Sequence, residues 1–444
     1  MTRNILYLSI IISVLIGCDA KINNFESSNG SANFETVVFV GNSLTAGFRD
    51  NALYLSGQME SYPAIIHKQL YLGGLNLKEF KQPYMKDEAG FGNRRVLGYK
   101  TDCSGQTTLG PVLSDIPIDL SANMENISES GPFNNMGIPG ARISHLFYSG
   151  YANLNPYFGR IAKETTSTII GMVKAQNPTF IVTWIGNNDV LGFATSGGYN
   201  DSITSIGTFT QMINLIGNIL YGGGTQGAVC NIPSITSAPF FTTIKPNSLQ
   251  LTQEQADLLM FKYSGYNQNV QAYGFDSINF KAGQNLLVIQ DLNPQLAPFG
   301  GLRQIKPNEM LLLTLPQDSL KCAGWGTSKP IPHYYVLDTA EIMAINNAIT
   351  GYNSAISFMA NERNLALVDM NSLLKEISDK GIRIGGQTFT TDFVNGQLFS
   401  LDGIHLTGRG YAVVANHIIK AINNKYGSTI PEATVNDYTG IIFP

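Results

Sequence analysis

Thr36-Val37-Val38-Phe39-Val40-Gly41-Asn42-Ser43-Leu44 is the stretch on which the fold turns. Residues 36–40 are β-branched or aromatic without polar alternation, which suits a strand buried on both faces of a parallel sheet. Gly41 ends the run, and a serine follows almost at once. Outward from there, Ser61-Tyr62-Pro63 opens a helix, with Ser61 as cap and proline in the first turn. Ile65, Ile66, Gln69 and Leu70 continue it at helical spacing, and Gly73-Gly74 stops it. Strand-like runs recur at 180–185, 228–232 and 365–368. They are preceded by helical stretches from about 158, around 208–220 and over about 339–361. A last helix spans about 407–426, with Tyr411, Val414, Ile418 and Ile422 on one stripe and Gly427 as its stop. Strands alternating with helices predict an α/β layered fold around a parallel sheet.

Two stretches break that rhythm, residues from about 78 to 131 and from about 233 to 335. They read as insertions decorating the edge of one domain (34–444), where open α/β sheets place their ligands. The chain has 444 residues, 43% of them apolar and only 14% charged, with a formal net charge of −4. That is ample for a buried core. Without a long basic run, nucleic acid is excluded as an expected partner.

The N-terminus carries a targeting pattern. Arg3 precedes an apolar stretch over 5–16 that is too short to span a bilayer comfortably, as in a signal peptide (1–17). It ends Leu15-Ile16-Gly17-Cys18, which resembles a bacterial lipobox. The resemblance implies cleavage before Cys18, lipid on its thiol, and residence in the bacterial cell envelope, at the outer membrane or cell surface. An ordinary secretory signal with an incidental cysteine is the alternative. Residues 18–33, rich in Asn, Ser and Gly, read as a flexible tether. Of the remaining cysteines, Cys230 sits in an apolar run and reads as a buried free thiol. Cys103 and Cys322 lie in Gly-rich loops and could pair. No CxxC or HExxH pattern exists and the five histidines are far apart, so no metal or other cofactor is expected.

Four short segments bear chemistry. Gly41-Asn42-Ser43-Leu44 exposes a hydroxyl at a strand end. Asn135-Met136-Gly137-Ile138-Pro139-Gly140 has a glycine able to aim a backbone N–H at a substrate oxygen. Gly186-Asn187-Asn188-Asp189, at the end of another strand, offers an uncharged amide donor. Asp402-Gly403-Ile404-His405, before the last helix, sets an imidazole where a carboxylate can hold it. Each alone is an ordinary turn.

Together, and in this order, they resemble the SGNH/GDSL hydrolase family across residues from about 36 to 426. The resemblance implies a flavodoxin-like three-layer fold and a Ser-His-Asp mechanism for an ester substrate, an acyl lipid or acylated carbohydrate. Ser43 would be the nucleophile, His405 its base and Asp402 the partner of the imidazole. Ser43, Gly140 and Asn188 would form the oxyanion hole. Asn42 departs from the pattern, standing where the family usually has aspartate. The α/β-hydrolase fold is disfavoured because its elbow needs Gly-x-Ser-x-Gly and Thr45 occupies the last position. A non-catalytic surface lipoprotein that binds glycans or lipids on the same fold is the second reading. Substrate choice would rest on the insertions, whose aromatics (among them Tyr84, Phe91, Tyr99, Phe240 and Tyr263) either line a groove or form satellite cores.

Overall fold

Five strands make the central sheet: β1 (Val37–Gly41), β2 (Asn135–Gly137), β3 (Phe180–Trp184), β4 (Gln226–Cys230) and β5 (Ala366–Val368). The structure, a computed structural model, describes residues 27–444; the signal peptide, Cys18 and the tether to residue 26 lie outside the described residues. Every neighbouring pair is parallel, in the order β2-β1-β3-β4-β5. This is the flavodoxin-like doubly wound order. All five residues of β1 and of β3 are buried, so both faces of the sheet are covered, as strands this apolar require.

The covering helices are α2 (Tyr62–Leu72) with α6 (Gly408–Tyr426), and α4 (Ile206–Tyr221) with α5 (Thr339–Glu362), each pair packed together. Two more are placed by the site: α1 (Ser43–Ala46) and α3 (Asn188–Thr195). Their ends follow local chemistry. The Ser61 hydroxyl accepts from the Ala64 N–H, Thr407 accepts from the Gly410 N–H, and Gly427 closes α6 at φ 65°.

Three expectations are corrected. The helix expected from about 158 is broken into Pro156–Gly159 and Ile169–Lys174. Between them lies the hydroxyl-rich run Glu164-Thr165-Thr166-Ser167-Thr168, and Thr168 caps the second piece by accepting from Gly171. Asn135-Met136-Gly137, read as a turn, is the edge strand β2, with Phe39 opposite Asn135 and Gly41 opposite Gly137. Residues 27–33 are not a tether. Ser31 N–H donates to the Tyr426 carbonyl (2.8 Å), Thr429 N–H donates to the Ser28 carbonyl (2.9 Å), and Ala32 is buried.

The two irregular regions hold small antiparallel pairs, the first a hairpin of Arg95–Thr101 with Thr107–Leu113. The second contains the long helix Gln253–Ala272 and two satellite apolar clusters. A Cys103–Cys322 disulfide joins one region to the other across 219 residues, while Cys230 is free and buried. Among the described residues no helix is long and apolar enough to cross a membrane.

α1 can pack directly on β2 only because Gly137 lacks a side chain. A Cβ there would meet the Ala46 nitrogen at 2.3 Å and the Thr45 carbonyl carbon at 2.6 Å, both backbone atoms of α1. Gly137→Ala is therefore expected to lower stability by at least about 2 kcal/mol. Gly110→Ala, where nothing lies within 4 Å, is expected to change it little. Thermal unfolding of both variants checks the contrast.

Candidate active site

The strand order reverses between β1 and β3, and the carboxyl ends of strands at such a switch point form the ligand crevice of doubly wound sheets. Ser43 stands there as the first residue of α1. Asn42 caps this short helix by accepting from the Leu44 N–H (3.2 Å), and its amide donates to Asn187 at the end of β3 (3.4 Å). The asparagine thus ties the first segment to the third through a donor that an aspartate lacks. Gly41 is needed for the approach, since a Cβ would meet the Thr45 hydroxyl at 2.0 Å and the Trp184 carbonyl at 2.4 Å.

The turn before α6 brings the other two residues. His405 Nε2 lies 2.8 Å from Ser43 Oγ, and His405 Nδ1 lies 2.9 Å from Asp402 Oδ2. Asp402 Oδ1 accepts from the Ile404 and His405 N–H groups, both at 2.8 Å, and Oδ2 accepts from the Asn51 N–H at 2.9 Å. Burial alone would push this carboxyl up. The His405 imidazole and the N–H donors outweigh it and hold the group down at about 2. An ionised Asp402 accepts the Nδ1 proton, which leaves Nε2 free to accept from the serine. The His405 ring also packs 4.6 Å from that of Phe48. No other histidine pairs with a carboxylate among the described residues.

Gly140 and Asn188 meet on Ala141. The Asn188 amide donates to the Ala141 carbonyl at 2.9 Å, while Gly140, at φ 79°, turns the chain just before it. One Asn188 amide N–H, the Ser43 N–H and the Gly140 N–H have no protein acceptor among the described residues. Donors left without a protein partner are what an incoming oxyanion would use. Asp189 fixes the same turn from beneath. Its carboxylate accepts from the Ile143 N–H (3.0 Å) and the Thr204 hydroxyl (2.8 Å), and burial raises it to about 6.

Sequence reading missed Asp50 and Asn51. Both adopt positive φ (53° and 64°), a conformation that Asp and Asn tolerate better than most residues. This turn delivers the Asn51 N–H to Asp402. Asp50 also accepts from the Leu401 N–H (3.1 Å), and its own N–H donates to the Ser400 hydroxyl (2.9 Å). The consecutive turn formers Asp50-Asn51 were the available signal. Of the insertion aromatics, Phe240 lines a cleft beside Asp402. Phe91 packs on Tyr157, Tyr263 lies in a satellite core, and Tyr84 and Tyr99 are exposed.

No family model matches the chain, and no curated protein matches it. Similar solved structures include a Parabacteroides merdae protein described as a GDSL-like lipase, 12% identical over 88% of this chain and 99% of that one, with TM-score 0.35. An alpha/beta hydrolase enzyme from the metagenome of Lake Arreo is 11% identical over 89% of this chain and 97% of that one, with TM-score 0.37. The lipase/acylhydrolase from Enterococcus faecalis is 12% identical over 90% of this chain and 100% of that one, with TM-score 0.34. Likenesses this distant carry no argument about the site, which stands on its own geometry.

Because the Asp402 carboxyl is held below its unfolded value of about 3.9, its charged form stabilises the fold above that pH. The contribution is lost as pH falls through the folded value of about 2. The stability gap between wild type and Asp402→Asn is expected to shrink between pH 4 and pH 2 in denaturant titrations. A gap that widens on acidification contradicts the assignment.

Proposed function

We propose that the protein is a serine ester hydrolase of the SGNH/GDSL type. One observation carries the reading: the unbroken row from Ser43 Oγ through both nitrogens of His405 to the buried Asp402, with separations of 2.8 and 2.9 Å. Ser43 Oγ attacks the ester carbonyl carbon while its proton passes to His405 Nε2. Asp402 stays ionised and stabilises the imidazolium. The carbonyl oxygen, now negative, is met by the Ser43 and Gly140 N–H groups and the Asn188 amide. Collapse expels the alcohol, which takes the proton from Nε2, and leaves an acyl-serine. Water, deprotonated by the same nitrogen, then releases the acid and restores Ser43.

Hydrolysis of a short-chain nitrophenyl ester tests this. Ser43→Ala is expected to lower turnover by at least about a thousandfold, and Asn188→Ala by about a hundredfold or more. Equal rates in wild type and Ser43→Ala sink the enzyme reading and leave the glycan- or lipid-binding one. The same proposal includes a lipid anchor on Cys18 that holds the enzyme at the bacterial cell envelope. Its support is the sequence Leu15-Ile16-Gly17-Cys18, and incorporation of labelled fatty acid that survives Cys18→Ala would contradict it.

A further inference from the structure

Beside the triad, on the Asp402 side, an open cleft of about 660 Å³ runs between the two irregular regions. This is the size range of small-molecule sites. One wall is the hairpin from Arg95 to Leu113, and the other is built from residues near 240–248 and 313–321. The Cys103–Cys322 disulfide ties the walls together, and the Lys321–Asp102 ion pair (2.6 Å) stands next to it. The floor is apolar where it meets the triad loop, with Phe240, Leu313, Phe393 and Leu401.

The charges in this cleft do not balance. Of the seven ionisable residues that line it, Lys321 and Asp102 neutralise each other, while Asp402 stands ionised at the triad edge beside the His405 imidazole. Arg95, Lys100 and Lys245 then face two carboxylates, Asp318 and the triad's own Asp402, which leaves an excess of one positive charge. None of the three cations pairs with a protein acceptor through its side chain among the described residues. Arg95 is half-buried, and its backbone N–H is fixed on the Asp50 carbonyl at 2.7 Å, beside the turn that holds Asp402. Lys100 and Lys245 are exposed, and on an open surface they would be ordinary solvated lysines. Here they stand on the two facing walls, Lys100 on the hairpin with Arg95 and Lys245 opposite, in a chain whose formal net charge is −4. A cleft with an excess of positive charge between low-dielectric walls concentrates its field on whatever enters. Five residues of extended strand put the Arg95 and Lys100 Cα atoms about 17 Å apart, so positive charge is offered at both the triad end and the far end.

We propose that this cleft takes the non-reacting part of the ester, and that this part is amphiphilic and negatively charged, with phosphate, sulfate or carboxylate groups meeting Arg95, Lys100 and Lys245. The inference rests on the esterase reading for its link to catalysis, but its test does not depend on turnover. Ser43→Ala protein is titrated calorimetrically with hexyl phosphate, hexanol and inorganic phosphate at low salt. Hexyl phosphate is expected to bind at least tenfold more tightly than either of the others. On the same background, its affinity should fall about threefold in Lys100→Gln/Lys245→Gln and at least tenfold when Arg95→Gln is added. It should also fall between 0.05 and 0.5 M salt. The double variant alters only exposed side chains, so it remains informative if the triple variant does not fold. Hexyl phosphate binding no better than hexanol, or unchanged affinity in the double variant, overturns the proposal. Inorganic phosphate binding as tightly as hexyl phosphate overturns its amphiphilic part. Failure of the esterase reading shows separately, as nitrophenyl ester turnover that Ser43→Ala does not abolish.

Discussion

At the carboxyl ends of β1 and β2, backbone packs on backbone. Gly41 and Gly137 face each other in register, and a Cβ on either would collide with α1 or β3. With no side chains between them, the short helix carrying Ser43 settles directly onto the sheet, where the strand order reverses. The site depends on that closeness. It sets the hydroxyl at the crevice, keeps the Ser43 N–H without a protein acceptor, and brings the Gly140 turn alongside. Asn42 and Asp189 then fasten this edge to β3 and α3 through polar bonds that a buried group must make.

The second constraint spans the chain. Asp402 and His405 lie more than 350 residues after Ser43 in sequence, separations of 351 and 362 residues marking the bonds from Asn51 to Asp402 and from Ser43 to His405. The Asp50-Asn51 turn closes that distance by gripping residues 400–402 through three hydrogen bonds. Two non-glycine residues in the left-handed region cost about 1 kcal/mol or more each. Their position beside Asp402 fits a role in holding its geometry. Arg49 anchors the same turn from behind, through Glu60 at 2.6 Å and Tyr54 at 2.6 Å.

Much of the fold was legible because parallel strands buried on both faces are rich in β-branched and aromatic residues with little polar alternation, as residues 37–40 and 180–184 are. Both ends of α2 and the stop of α6 at Gly427 were legible because caps are chosen by local chemistry. β2 was not: three residues, Asn135-Met136-Gly137, are too few and too polar to show periodicity, and tertiary pairing with β1 makes them a strand. The docked segment 27–33 misled for the same reason, since its polar composition suits a tether until Tyr426 and Thr429 offer partners. At the site, Ser43, Asp402 and His405 could be read from motif order. The pairing of Cys103 with Cys322 and the walls of the charged cleft depend on how two irregular regions meet, which no local pattern encodes.

The central claim is that Ser43 is an activated nucleophile, and trapping it covalently tests that most directly. An uncharged alkyl fluorophosphonate, followed by peptide mass spectrometry, should modify Ser43 once per chain. The rate should fall by at least about a hundredfold in His405→Ala, which removes the base. No adduct on Ser43, or labelling at an undiminished rate in His405→Ala, would contradict the account.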